Sequence, residues 1–132
     1  MSDNAYAMIR ELPDLDYDAA VARVTGLLAD EGFGILTEID VKATLKKKLD
    51  VDFRRYLILG ACNPPLAHRA LSAEADIGVL LPCNVCVSER EGGGSRVAAM
   101  NPTAAFELIG NPEVSPVARD VRERIQRVLD AI

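Results

Sequence analysis

The sequence predicts an α+β fold, a mostly antiparallel sheet with two long helices on one face. Three observations predict it. Short apolar runs bounded by turn residues read as strands. Two longer stretches, 16–31 and 115–132, carry apolar residues at helical spacing. Strands bracketed by such helices, rather than alternating with them throughout, point to α+β and not to a parallel α/β sheet.

The elements follow in order. Ala5 to Leu12 alternates weakly and reads as a first strand, at an edge; Pro13-Asp14 turns it. Asp16 is an N-cap for a helix to Glu31, because its carboxylate satisfies free amides of the first turn. Tyr17, Ala20, Val21, Val24, Leu27 and Leu28 form its apolar stripe, and Gly32 fits the C-terminal cap. Phe33 to Ile39 is the second strand, with Gly34 leaving room for close backbone approach, and Glu38 and Asp40 ending it. Val41 to Leu49 reads as a short helix with Val41, Leu45 and Leu49 on one side. Lys42, Lys46, Lys47 and Lys48 occupy its other faces, and with Arg54 and Arg55 they form a basic patch, read as a solvated face or an anion contact.

The stretch from Tyr56 to Val87 holds all three cysteines and the only histidine. Tyr56 to Ala61 has the length of a strand buried on both faces. Cys62-Asn63-Pro64-Pro65 stops it. Asn63 caps a helix from Pro64 to Ala73, where proline's missing N–H costs nothing, with Leu66, Ala70 and Leu71 on the buried face. Ile77 to Leu81 is expected to be a second buried strand. Pro82 marks a bulge, an edge or a register break, and Asn84 to Glu89 resumes the strand. Glu91 to Ser95 is a glycine-rich hairpin loop leading to a strand from Arg96 to Met100. Thr103 to Ile109 is a short helix or turn. Ser115 caps the last helix, with Pro116 at its first position. Val117, Val121, Ile125, Val128, Leu129 and Ile132 form its stripe, and Arg119, Arg122, Glu123, Arg127 and Asp130 face water.

The central strands are apolar on both sides, so the sheet face away from the long helices needs a cover. Small helices are one option and a second copy of the chain is the other; a homodimer is the expectation.

Composition narrows the function. The 132 residues form a single domain over 1–132, with 49% hydrophobic and 27% charged residues, enough to bury a core. Twenty acidic against 15 basic residues give a net charge of −5, the wrong sign for a nucleic-acid partner. No run is long and apolar enough for a membrane span, and nothing at the start reads as a secretory signal. Three cysteines, an odd count without an export signal, are expected as reduced thiols in a cytoplasm. No nucleophile elbow, phosphate-cradling loop or dinucleotide fingerprint is present, so no reaction and no cofactor is assigned.

The candidate chemistry gathers at Cys62-Asn63-Pro64. A cysteine at the mouth of a helix meets free N–H groups and the positive end of the dipole, which favours a thiolate or a bound anion. Cys83 lies beyond the next apolar run, and His68 lies along the helix. Cys62, Cys83 and His68 suffice for a soft metal such as zinc or copper(I), and Cys83-x-x-Cys86 adds ligand spacing if Pro82 and Asn84 bend the chain. A thiol-redox role is the related alternative. The other reading is a small-ligand pocket with Asn63, Glu38 and Asp40 at its mouth; Glu38 and Asp40, two apart, share a strand face, with Lys46 as a partner.

G-F-G-I-L-T-E-I-D (32–40), T-L-K-K-K-L (44–49), G-A-C-N-P-P-L-A-H-R-A-L (60–71) and I-G-V-L-L-P-C-N-V (77–85) resemble the bacterial and archaeal domain of unknown function 302 (DUF302), over nearly the whole chain. The resemblance implies a β-α-β(4)-α two-layer core similar to a single-copy TATA-binding-protein (TBP)-like fold, and a homodimer. It implies no activity. The matched positions of interest are Glu38, Asp40, Lys46, Cys62, Asn63, Pro64 and Cys83; Cys86 is outside the pattern.

Overall fold

A computed structural model of the chain describes residues 3–132. The main elements are β1 (Ala7–Leu12), α1 (Tyr17–Asp30), β2 (Gly34–Asp40), α2 (Val41–Leu49), β3 (Tyr56–Cys62), α3 (Pro64–Ala73), β4 (Cys83–Glu89), β5 (Ser95–Met100), α4 (Pro102–Glu107) and α5 (Ser115–Ala131). Without the short helices this is β-α-β(4)-α. The five strands form one antiparallel sheet in the order β1-β5-β4-β3-β2, with β1 at an edge.

Alternation along the strands sorts side chains onto two faces. Met8, Leu12, Leu59, Ala61, Cys83, Val85, Val87, Val97 and Ala99 point to one face and are buried. They pack against Ala20, Val24 and Leu28 of α1 and Val117, Val121 and Ile125 of α5 in one core. Both long helices thus lie on the same face. Asp16 caps α1 by accepting from Ala19 N at 2.8 Å, and Gly32 follows with φ +86°, a conformation that glycine adopts without a Cβ penalty.

Several elements differ from the sequence reading. The apolar run 77–81 is not a strand: Ala75–Leu80 is a 3-10 helix, in which Ile77 alone is buried and Val79 is 87% exposed. A turn repeating every three residues aims one side chain of this run inward, so its apolar composition does not translate into a two-faced strand. Leu71 is exposed on α3, whose buried residues are Leu66 and Ala70. Pro82 causes no register break, because β3 and β4 pair without interruption from Tyr56–Ser88 to Ala61–Cys83; the irregularity lies in β2, between Ile35 and Thr37. The glycine that close packing requires is Gly60. A Cβ there would run into Thr37 Oγ1 and Pro82 Cγ, whereas one at Gly34 would meet nothing. Ser115 is the first residue of α5 and makes no capping bond. On the helix side of β3, Leu59 and Ala61 are buried and Leu57 is half-buried; on its other face Gly60 is buried and Tyr56 and Ile58 are half-buried.

Candidate functional site

β3 ends at Cys62, and Asn63 turns the chain into α3. The Asn63 side-chain oxygen accepts from Leu66 N at 3.4 Å, which caps the helix. Its amide nitrogen donates to Glu31 O at 3.3 Å, in the turn that ends α1. The same carbonyl accepts from Arg124 Nη1 of α5 at 3.0 Å, while the Glu31 carboxylate receives Arg127 through Nε at 3.1 Å and Nη2 at 2.8 Å. Asn63, Arg124 and Arg127 therefore lock the 31–32 turn from two sides. Sequence reasoning missed Glu31 and Arg124 and left Arg127 in water. These contacts span 93 and 96 residues, and no local spacing reports them.

Beside this turn is a small apolar cavity of about 20 Å³, lined among others by Phe33, Cys62, Asn63, Leu66, Pro82 and Cys83. It has room for about one water. Cys62 and Cys83 both border this cavity. Neither is a ready thiolate: burial raises the Cys62 thiol and pushes Cys83 up to about 12, the neighbouring Cys62 adding to the latter. The expected activation of Cys62 by the helix mouth gives way to this desolvation. Pro64 occupies the first turn of α3.

The other candidates lie elsewhere. His68 is exposed on α3 and does not line the cavity. Cys86 is on the opposite sheet face from Cys83, because three steps along an unbent strand reverse the direction of the side chain. Among the described residues no three His, Cys, Asp or Glu side chains gather closely enough to hold a metal ion. Glu38 and Asp40 are exposed at the far end of edge strand β2. Asp40 pairs with Leu57 and Glu38 with Leu59, five and three residues before Cys62, so roughly 17 and 10 Å of strand separate them from Asn63's end of β3. Asp40 caps α2 by accepting from Ala43 N at 2.9 Å. Lys46 pairs with Asp50 at 3.0 Å and Asp52 at 3.6 Å, not with Glu38 or Asp40.

The second feature is the sheet face that carries neither long helix. The register aligns Ile39, Ile58, Cys86, Ala98 and Ile9 in one unbroken apolar row across all five strands. Beside it runs a polar row of Tyr56, Ser88, Arg96 and Glu11. An open groove of about 950 Å³ lies over this face. Tyr56 and Cys86 line it together, and burial raises both groups. Arg96 and Arg90 both pair with Glu11, at 3.0 and 3.4 Å. Arg54 lies over the rings of Phe53 and Tyr56, at 4.9 and 5.6 Å from their centres.

No helix among the described residues is long and apolar enough to cross a membrane. A family model described as "Domain of unknown function DUF302" matches residues 8–132. The chain is similar to the crystal structure of an uncharacterised conserved DUF302 protein from Bacillus stearothermophilus, with 27% identity and a TM-score of 0.86, over 94% of this chain and 95% of that one. No curated protein matches it.

Proposed function

The chain belongs to the DUF302 family, and on that premise we propose that it is a binding protein that works as a homodimer, two copies meeting through the sheet face without the long helices. The apolar row Ile39–Ile58–Cys86–Ala98, which ends at the already buried Ile9, carries this reading. Ile39 is 47% exposed, and Ile58, Cys86 and Ala98 are half-buried, so the row keeps apolar surface that association removes from water. Charge favours a second copy as the occupant. A two-fold interface brings like surface against like, and a chain of net charge −5 repels itself over most of its surface. On this face Glu11 is neutralised by Arg90 and Arg96. Arg54 and Glu91, which line the same groove, make no ion pair among the described residues, so each copy offers the other an opposite charge.

Sedimentation equilibrium tests the reading. Wild-type protein at tens of micromolar is expected at twice the chain mass of 14.3 kDa. Ile58→Asp, which places a charge on a half-exposed position outside the core, is expected to give a folded monomer. A monomeric wild type, or an Ile58→Asp protein that stays dimeric, overturns the proposal.

A further inference from the structure

We propose that the groove on the open sheet face binds a small monocarboxylate, its anionic end held by Ser88 and Arg96. The inference names a ligand class for the binding role proposed above. It rests on that role but not on the dimer, because the site lies within one copy.

Among the described residues three polar side chains are buried: Asn63, Ser88 and Ser95. Asn63 bonds to Glu31 O and Leu66 N, and the Ser95 hydroxyl donates to Leu15 O at 2.9 Å. Ser88 is 5% exposed, yet its hydroxyl makes no hydrogen bond to any described residue. It is not sealed in the core either, since no fully buried side-chain oxygen or nitrogen there lacks a partner. Ser88 lines the groove, so the hydroxyl meets that space. A nearly buried hydroxyl left without a partner calls for a bonded atom from outside the chain.

The charge beside it defines that atom. In register Ser88 stands opposite Arg96, and Arg96 opposite Glu11, so the three side chains lie side by side on one face, about 5 Å apart at Cβ. Glu11 receives both Arg96, at 3.0 Å, and Arg90, at 3.4 Å. Two guanidinium groups share one carboxylate, which leaves one positive charge over beside Ser88. Arg96 engages Glu11 through Nη1, and its Nε and Nη2 donate to no described residue. The other charges in the lining do not cancel this surplus. Glu89 is bonded to Arg55 at 3.2 Å, and Glu91 is matched in number by Arg54. A single surplus charge suits a monoanion rather than a dianionic phosphate, and a guanidinium fork fits a planar carboxylate. Two residues along from Arg96 and Glu11, about 7 Å away, Ala98 and Ile9 form an apolar floor for the ligand's body. This is the β1 end of the apolar row, away from Ile39 and Ile58.

The test is a heteronuclear NMR titration of isotope-labelled protein with sodium benzoate at constant ionic strength, with benzamide and inorganic phosphate as comparisons. Benzoate is expected to give saturable shifts for one site per chain, centred on the amides of Ser88, Arg96 and Glu11. Benzamide, which keeps the ring and loses the charge, and phosphate are each expected to bind at least about 10-fold more weakly. Ser88→Ala is expected to keep the wild-type unfolding midpoint, because the hydroxyl holds nothing in the free protein. Its benzoate affinity is expected to fall about 10-fold or more, the scale of a hydrogen bond to a charged group. Arg96→Gln removes the surplus charge and is expected to abolish saturation. The proposal is overturned by a wild type without saturable benzoate shifts, by benzamide binding equally well, or by shifts centred on Lys47 and Lys48. A Ser88→Ala protein that binds like wild type, or one that is less stable because the hydroxyl was already engaged, overturns it too. Sedimentation of the same samples reads the oligomeric state separately. A monomer that binds benzoate contradicts the dimer alone, and a dimer that does not bind contradicts the site alone.

Discussion

Asn63 donates its side-chain amide to the carbonyl of Glu31 at 3.3 Å while its oxygen caps α3, so one residue joins the end of α1 to the start of α3. It is 8% exposed, and the bonds are made largely out of water. Asn63→Ala removes a cap and leaves Leu66 N without its partner. The expected loss is about 1–2 kcal/mol, read from denaturant unfolding. A loss below about 0.5 kcal/mol contradicts the assignment. Gly32→Ala adds an independent check: at φ +86° its Cβ would stand 2.9 Å from Asn63 Nδ2, so it too is expected to destabilise.

Gly60 packs its backbone against Thr37 and Pro82 on the face without the long helices. Gly60→Ala is expected to cost about 1–3 kcal/mol through overpacking. Thr37→Ala added to it removes one of the two clashing groups, so the double variant is expected to regain part of the loss. Additive effects in that double-mutant cycle would show that the two residues do not collide.

The Glu31–Arg127 pair predicts an acid dependence of stability. The Arg127 hydrogen bonds hold the Glu31 carboxyl below its ordinary value of 4.5, and Arg127 and Arg124 add attraction that outweighs the opposing burial. A lowered folded-state pKa means that the stabilisation is fully present above 4.5 and is lost as pH falls through the folded value. Arg127→Gln is therefore expected to be less stable than wild type at pH 7, with the gap narrowing below pH 4.5. A gap that stays constant to pH 3 refutes the linkage.

Cys83 carries the most strongly raised thiol, at about 12. With a thiol reagent at pH 8, native protein is expected to label at Cys62, which is half-buried and away from the apolar row, and at Cys83 only after denaturation. Peptide mapping of the labelled sites checks this. Labelling of Cys83 at the same rate as Cys62 in the native state contradicts the burial.

What was legible in the sequence was local. The caps at Asp16 and Asn63, the α1 and α5 stripes and the hairpin glycines act within a few residues of themselves, and each stands where the pattern placed it. Apolar runs were less informative. Tyr56 to Ala61 and Ile77 to Leu81 have similar composition, yet one pairs on both sides in a sheet and the other is a 3-10 turn. Pairing decides between them, and pairing is not local. At the candidate site the sequence pattern singled out Cys62, Asn63 and Cys83, and all three border one small cavity. The pattern could not separate Cys86 and His68 from them without the strand register and the helix phase. Glu31 and Arg124 carried no signal, because a charged residue on a helix surface looks the same whether it meets water or a carbonyl 93 residues away.

The account turns on what covers the apolar row. The most direct measurement is an isotope-filtered nuclear Overhauser experiment on a mixture of labelled and unlabelled protein, which registers contacts between copies only. The account predicts intermolecular contacts from the methyl groups of Ile39, Ile58 and Ala98, and none from the buried helix-face methyls of Val85 and Val97. Intermolecular contacts confined to α1 or α5, or none at a concentration where the protein is dimeric, would contradict it.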